Sequence, residues 1–296
     1  MTAGFVDGIC RDGISRVGVL GCGLMGAGIA EVCARAGGNV VVVESNDAAA
    51  AAGRRRLTAS LDRAVAAGKL PGADRDAVLA RLSFATEIGA FADRDLVIEA
   101  VPEVPELKLD AFRHIDSAVL APEAILASNT SSIPISRIAA ATSRPEQVLG
   151  MHFFNPVPVL NLVELVPSLL TNTDTLKRAE AYADGVLGKK VIYARDRAGF
   201  IVNALLVPYL LSAIRMLEAG HGTAADIDTG MEQGCAHPMG PLRLTDLVGL
   251  DTVLHAANSL YHEFREAHHA PPALLMRMVE TGILGRKSGR GFYNYT

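Results

Sequence analysis

The sequence predicts an α/β fold, with a doubly wound and mainly parallel sheet, followed by an all-helical C-terminal domain. Three observations carry this reading. Short apolar runs alternate with helical patterns from Arg16 to about Ala194, as expected where crossover helices cover both faces of a parallel sheet. The first run, Arg16 to Leu20, opens directly into Gly21-Cys22-Gly23-Leu24-Met25-Gly26 and then a helix. From Gly199 onward helical periodicity continues with no clear strand. The change falls at Arg195-Asp196-Arg197, which gives an expected division into residues 1–195 and 196–296.

Each element has its own local signal. Leu24 to Ala36 is a helix that Gly37-Gly38 ends, and Asn39 to Val43 is the second strand. Asp47 to Lys69 is rich in Ala and Arg without internal Pro, so it reads as a helix. Arg54, Arg55, Arg56, Arg63 and Lys69 form its basic face. Pro71-Gly72 breaks it, and a helix over Asp74 to Leu82 and a strand over Ser83 to Thr86 follow. Asp95 to Val101 is a continuous apolar strand. It leads into a helix over Glu103 to Leu120, with Glu103 in the first turn. Ala124 to Ala127 is a strand that runs into Ser128-Asn129-Thr130-Ser131-Ser132, with a helix from Pro134. Gln147 to Phe154 and Leu160 to Val166 are strands carrying His152 and Glu164. Thr171 to Leu187 is a helix and Lys189 to Ala194 the last strand. The C-terminal helices are Gly199–Ala219, Thr223–Gly234, Leu242–Leu247, Asp251–His268 and Pro272–Thr281. Thr223 and Asp226 form a capping-box-like start to the second of these.

Composition narrows the function classes. Half of the 296 residues are hydrophobic, enough for a large core, and the formal net charge of -4 argues against a nucleic-acid partner. Cys10, Cys22, Cys33 and Cys235 show no CxxC spacing and no accompanying His. Neither a structural metal site nor a disulfide framework is expected, and a reducing cytoplasm fits. No metal-ligand set is visible. The first fifteen residues lack a basic segment followed by an apolar one, so no signal peptide is expected. The most apolar run, Gly199 to Ile214, is shorter than a membrane span and contains Asn203 and Pro208, so it reads as a buried helix and not a membrane contact.

The glycine spacing has a mechanical reading. Gly21 allows the strand-to-helix turn, Gly23 lets a pyrophosphate approach the backbone, and Gly26 lets the helix pack on the strand. The helix N-terminus faces the phosphates. Glu44 stands at the end of the second strand, where a carboxylate binds a ribose 2′-hydroxyl and repels a 2′-phosphate. The domain therefore reads as Rossmann-type, with NAD favoured over NADP. Glu103 and Lys108 lie just beyond a parallel strand's C-terminal end, where ligands bind. The small polar residues 128–132 offer either ligand groups or only a turn and N-cap.

Glu164 is a carboxylate in an apolar run and needs a partner to offset its desolvation. His152, on the preceding strand, can be that partner. A carboxylate-backed imidazole is what proton removal from an alcohol requires while hydride leaves the same carbon.

Six segments in one order, 17–30, 127–136, 152–166, 196–206, 237–251 and 285–295, resemble the L-3-hydroxyacyl-CoA dehydrogenase family. Within it they are most similar to the short bacterial branch acting on 3-hydroxybutyryl-CoA. The resemblance implies an NAD-binding domain, a helical domain that makes the homodimer, and an acyl-CoA cleft between them. It implies His152 as the catalytic base, Glu164 as its partner, and Ser131 and Asn203 as residues holding the reacting oxygen. It implies NAD contacts at Gly21, Cys22, Gly23, Leu24, Met25, Gly26, Glu44, Glu103, Lys108, Ser131, Asn155 and Lys287. It also implies a coenzyme A contact at Ser60. Two positions depart from the family. Ala67 replaces a lysine that some relatives carry seven residues after that serine, which leaves Arg54–Arg56, Arg63 or Lys69 to substitute, and Glu44 stands where Asp is common. A relative acting on a non-CoA hydroxy acid of the gulonate type, or a non-catalytic nucleotide-binding protein of the same fold, is the alternative.

Overall fold

The computed structural model describes residues 13–295, so Cys10 and most of the segment tested for a signal peptide lie outside the described residues. The chain divides into two compact units, residues 1–196 and 197–296.

The first unit is an eight-stranded sheet. It contains β1 (Arg16–Leu20), α1 (Leu24–Arg35), β2 (Asn39–Val43), α2 (Asp47–Ala66), α3 (Gly72–Ala80), β3 (Leu82–Ala85), β4 (Leu96–Glu99), α4 (Pro105–Ala118), β5 (Ile125–Ser128), α5 (Ile135–Ala139), β6 (Val148–Phe153), β7 (Leu162–Pro167), α6 (Thr173–Glu180) and β8 (Lys190–Tyr193). The strand order is β3-β2-β1-β4-β5-β6-β7-β8, and only the β6–β7 pair is antiparallel. The central strands are buried on both faces, which is why β1, β2 and β4 read as unbroken apolar runs. Because β1 to β6 run the same way, their C-terminal ends share one sheet edge. The pairing aligns Leu20 with Glu99, Glu99 with Ser128, and Ser128 with Gly150 across that edge. The crevice outside such an edge is where open α/β sheets bind ligands.

The second unit is helical, with α7 (Val202–Glu218), α8 (Ala224–Gly234), α9 (Pro241–Val248), α10 (Leu250–Phe264) and α11 (Ala273–Glu280) around Leu210, Leu211, Ile214, Leu242, Leu250 and Leu275. Two buried carboxylates assemble it. Asp228 of α8 accepts from the Leu242 and Arg243 backbone N–H groups at 2.8 and 3.0 Å. It thereby caps α9, whose own N-cap Gly240 has no side chain to do so. Asp246 of α9 accepts from the Phe292 and Tyr293 N–H groups and from the Tyr295 hydroxyl at 2.9, 3.0 and 2.9 Å, which fixes the C-terminal strap. The approach is close enough that a Cβ on Gly291 would lie 1.9 Å from Asp246 Oδ1. The Thr223–Asp226 capping box forms at the start of α8 as expected. Cys22 and Cys33 are buried free thiols, and Cys235, at the end of α8, is exposed. No helix among the described residues is long and apolar enough to cross a membrane.

The differences from the sequence reading lie at element ends. The expected helix from Gly199 begins at Val202, because Gly199 and Phe200 take φ of +74° and +50°, outside the helical region. Pro208 is carried inside α7 without ending it. The long helix expected over 251–268 stops at Phe264, where Arg265 turns left-handed at φ +56°. The helix expected over 171–187 becomes α6 followed by a wider π-type turn, Ala181–Val186. Glu103 is not in a first helical turn: Pro105 occupies the first position of α4, and Glu103 precedes it.

Replacing Asp246 orphans three donors in a buried site. The expected outcome for Asp246→Ala is a loss of about 3 kcal/mol or more, measured as a lowered denaturant midpoint.

Candidate functional site

The glycine loop joins β1 to α1. Gly21 has φ +89°, and a Cβ there would lie 2.9 Å from the Ala100 carbonyl oxygen; one on Gly26 would lie 1.9 Å from the Gly21 carbonyl oxygen. Around Gly23 the same test meets nothing within 4 Å, and Gly23 is the N-cap of α1 without a side-chain cap. The loop therefore has open space where a side chain would stand, beside unpaired helix N–H groups. A dinucleotide's pyrophosphate fits that arrangement. Leu24 is largely exposed at the mouth, while Met25 packs against the core. Glu44, just past β2, accepts from the Cys22 N–H at 2.5 Å and from the Ser45 N–H at 3.2 Å. Arg56 donates to the Cys22 carbonyl at 2.6 Å. Burial and the nearby Glu44 push the Cys22 thiol up to about 12, so it is a packing group here.

The next part of the edge is built from buried charge. Lys108 of α4 is 1% exposed, and its ammonium donates to Glu99 Oε1 at 2.6 Å and the Val101 carbonyl at 3.1 Å. It also lies 3.2 Å from Glu103 Oε2. Glu99, the last residue of β4, also accepts from the Val101 N–H at 2.7 Å and the Ser128 hydroxyl at 2.7 Å. Glu103 Oε1 accepts from the Thr130 hydroxyl, the Ser131 and Ser132 N–H groups and the Ser132 hydroxyl, at 2.5 to 3.2 Å. Residues 130–132 are thus gathered on one carboxylate, and Ser131 gives it only its backbone N–H in these contacts. Burial raises the Glu103 carboxyl. Lys108, the Thr130 hydroxyl, the Ser131 N–H and Ser132 outweigh that and hold it below its ordinary value.

His152 and Glu164 are direct cross-strand partners on β6 and β7. His152 Nδ1 and Glu164 Oε2 are 2.7 Å apart, with the side chains 7% and 0% exposed. The imidazole also meets the Phe154 ring edge-on at 4.5 Å between centroids. Asn129 Oδ1 accepts from the Phe153 N–H at 2.9 Å and so ties the 129–132 loop to the strand end beside His152. This pair needs only the period of two along each strand, which carries 152 and 164 to the same face.

Asn155 and Ser60 lie in one recess with Glu31, Arg56 and Arg63, between α1, α2 and the segment 155–158. Glu31 is 1% exposed, and burial raises its carboxyl despite Ser60, Arg35 and Arg63. Asn203 is half-buried in the first turn of α7. Lys287 pairs with Asp251 at 2.5 Å near the end of the chain. Sequence reasoning missed Glu99 and the Arg56 contact to the loop. Glu99 carried the same signal as Glu164, a carboxylate inside an apolar strand that must have a partner.

Glu103 is held ionised in the folded chain, so it favours folding above about pH 4.5 and that contribution is lost as pH falls through its lowered folded value. Glu103→Gln is expected to flatten the acid limb of stability against pH, read from urea midpoints across the acidic range.

The residues 16–197 match the family model described as "3-hydroxyacyl-CoA dehydrogenase, NAD binding domain", and residues 199–295 match "3-hydroxyacyl-CoA dehydrogenase, C-terminal domain". The chain is 57% identical over 267 residues to the 3-hydroxybutyryl-CoA dehydrogenase of Mycobacterium tuberculosis, covering 90% of this chain and 93% of that protein. It is 40% identical over 276 residues to the human mitochondrial hydroxyacyl-coenzyme A dehydrogenase, covering 90% and 87%. The crystal structure of (S)-3-hydroxybutyryl-CoA dehydrogenase PaaH1 from Ralstonia eutropha is similar at a TM-score of 0.89 and 44% identity, covering 96% of this chain and 99% of that one. With a glycine loop between β1 and α1, a buried His–Glu pair and both family domains matched in order, the chain belongs to the 3-hydroxyacyl-CoA dehydrogenase family of oxidoreductases.

Proposed function

We propose that this protein interconverts an (S)-3-hydroxyacyl-CoA, foremost 3-hydroxybutyryl-CoA, and the 3-ketoacyl-CoA, with NAD rather than NADP and with His152 and Glu164 as the acid–base pair. The observation that carries the proposal is the buried 2.7 Å contact between His152 Nδ1 and Glu164 Oε2, on the sheet that holds the glycine loop.

Nicotinamide, when bound, supplies the hydride acceptor. The protein's own work is proton transfer and charge placement. With Nδ1 committed to Glu164, Nε2 is the nitrogen that takes the substrate's hydroxyl proton as hydride leaves C3, the carbon that bears that hydroxyl. Glu164 then stabilises the imidazolium. In the reductive direction the imidazolium returns that proton to the carbonyl oxygen. Ser131 and Asn203 hold the oxygen, which carries partial negative charge at the transition state. Gly21 to Gly26 hold the pyrophosphate, Glu44 the adenosine ribose, and Glu103, Lys108, Asn155 and Lys287 complete the cofactor contacts. Glu103 and Lys108 act by shaping the 129–132 loop as well.

Ser60, Arg56 and Arg63 give the recess beside α2 a hydroxyl and two guanidinium groups, matched to the phosphates of coenzyme A. They supply the charge that Ala67 does not. Homodimerisation through the helical unit is supported by the exposed Leu205 and Met216 of α7, and a reducing cytoplasm by the unpaired thiols.

With acetoacetyl-CoA and NADH followed at 340 nm, turnover is expected, and free acetoacetate should be a poor substrate; the reverse ranking would favour the non-CoA hydroxy acid reading. His152→Ala should lower kcat by about 10²- to 10⁴-fold while NADH binding, read by fluorescence titration, is largely kept. Glu164→Gln should lower the rate and move its pH profile. Glu44→Gln removes the charge that repels a 2′-phosphate. The expected outcome is a raised ratio of kcat/KM for NADPH over NADH, and an unchanged ratio would overturn the NAD assignment.

A further inference from the structure

The turn between α10 and α11 brings together three ligating side chains that the dehydrogenase reaction does not use. Arg265 ends α10 in the left-handed region, and Ala267–His269 forms a single tight turn. Glu266 Oε2 lies 3.3 Å from His268 Nε2 and 4.0 Å from His269 Nδ1, and one ligand atom from each residue falls within 4.8 Å of the others. A second observation points to a ligand. The His269 side chain is 7% exposed, and its Nδ1 is buried with no hydrogen-bond partner. An orphan nitrogen of this kind is costly unless something binds it.

The backbone of the turn is already fixed. Arg215 of α7 donates through Nη2 to the carbonyls of Ala267, His268 and Ala270 at 3.2, 3.2 and 2.5 Å. The His269 N–H donates to the Glu266 carbonyl at 3.0 Å, and the His269 ring packs on Phe264 at 5.1 Å. Arg265, the nearest other cation in sequence, turns its guanidinium to His262 and the Tyr261 ring instead. Ligands held on a rigid turn lose little freedom when a cation arrives.

We propose that Glu266, His268 and His269 form a binding site for a zinc-type divalent cation that pins the α10–α11 turn. Two imidazoles and one carboxylate suit zinc, with the remaining position open to water. Tetrahedral ligand atoms around zinc sit about 3.3–3.5 Å apart. The Glu266–His268 spacing already matches, and the exposed Glu266 and His268 side chains can turn toward the buried His269 nitrogen. The metal binds the folded chain and not the unfolded one, so it stabilises the fold by linkage.

The test uses the full chain and Zn²⁺ alone, titrated against a chromophoric chelator and in thermal melts. The expected result is saturable binding of one Zn²⁺ per chain that involves these residues and a melting midpoint raised by the metal. His268→Gln and Glu266→Gln, both at exposed positions, should weaken Zn²⁺ binding by about tenfold or more and remove the metal-dependent rise. Their metal-free midpoints should match the parent's. Parent protein with no saturable Zn²⁺ binding, or His268→Gln binding as tightly as the parent, would overturn the proposal. Dehydrogenase turnover of the parent is not a readout here, so the outcome is separate from that of the proposed reaction.

Discussion

An ammonium group with almost no access to water sets the shape of the sheet edge at the ends of β4 and β5. Lys108 is 1% exposed, and desolvating it alone would be prohibitive. Glu99 and Glu103 solve the problem from two sides, one at the end of β4 and one in the loop before α4. Each carboxylate then has acceptor capacity left over. Glu99 uses it on Ser128 and Glu103 on the 129–132 loop. The shape of that loop therefore follows from neutralising one buried cation. Truncating Lys108 would leave two carboxylates crowded together without their counter-charge.

The His152–Glu164 pair rests on a different device. The sheet is parallel through β6 and reverses once, at β7. The reversal places residues twelve apart in sequence directly opposite each other and buries both. Asn129 links the loop organised by Glu103 to the backbone of Phe153, next to the imidazole. The serine-rich loop and the strand end that carries the imidazole thus belong to one hydrogen-bonded edge.

Much of this was legible in the sequence because the signals were strong and local. Continuous Val-rich runs marked the buried strands, and Gly21 to Gly26 marked the turn that only glycines can make at Gly21 and Gly26. Glu164 pointed to His152 by the cost of a lone buried carboxylate. What escaped were features set by tertiary geometry. Glu103 was read as a helical residue, yet Pro105 fixes the helix start and frees it to receive the 129–132 loop. Lys108 was placed at the ligand edge beyond the strand end, but its burial was not foreseen, because it depends on Glu99 at the end of β4. The end of α10 at Arg265 carries no glycine or proline signal, so Glu266 to His268 were read as a continuation of the helix.

The distribution of thiols has a practical consequence. Cys22 and Cys33 are buried, and burial lifts both to about 12, where the nucleophilic thiolate is scarce. Cys235 is the one solvent-facing cysteine among the described residues. A maleimide fluorophore would therefore attach there in preference to Cys22 of the glycine loop or Cys33 of α1. The end of α8 becomes a natural reporter position for following the helical unit without touching the glycine loop.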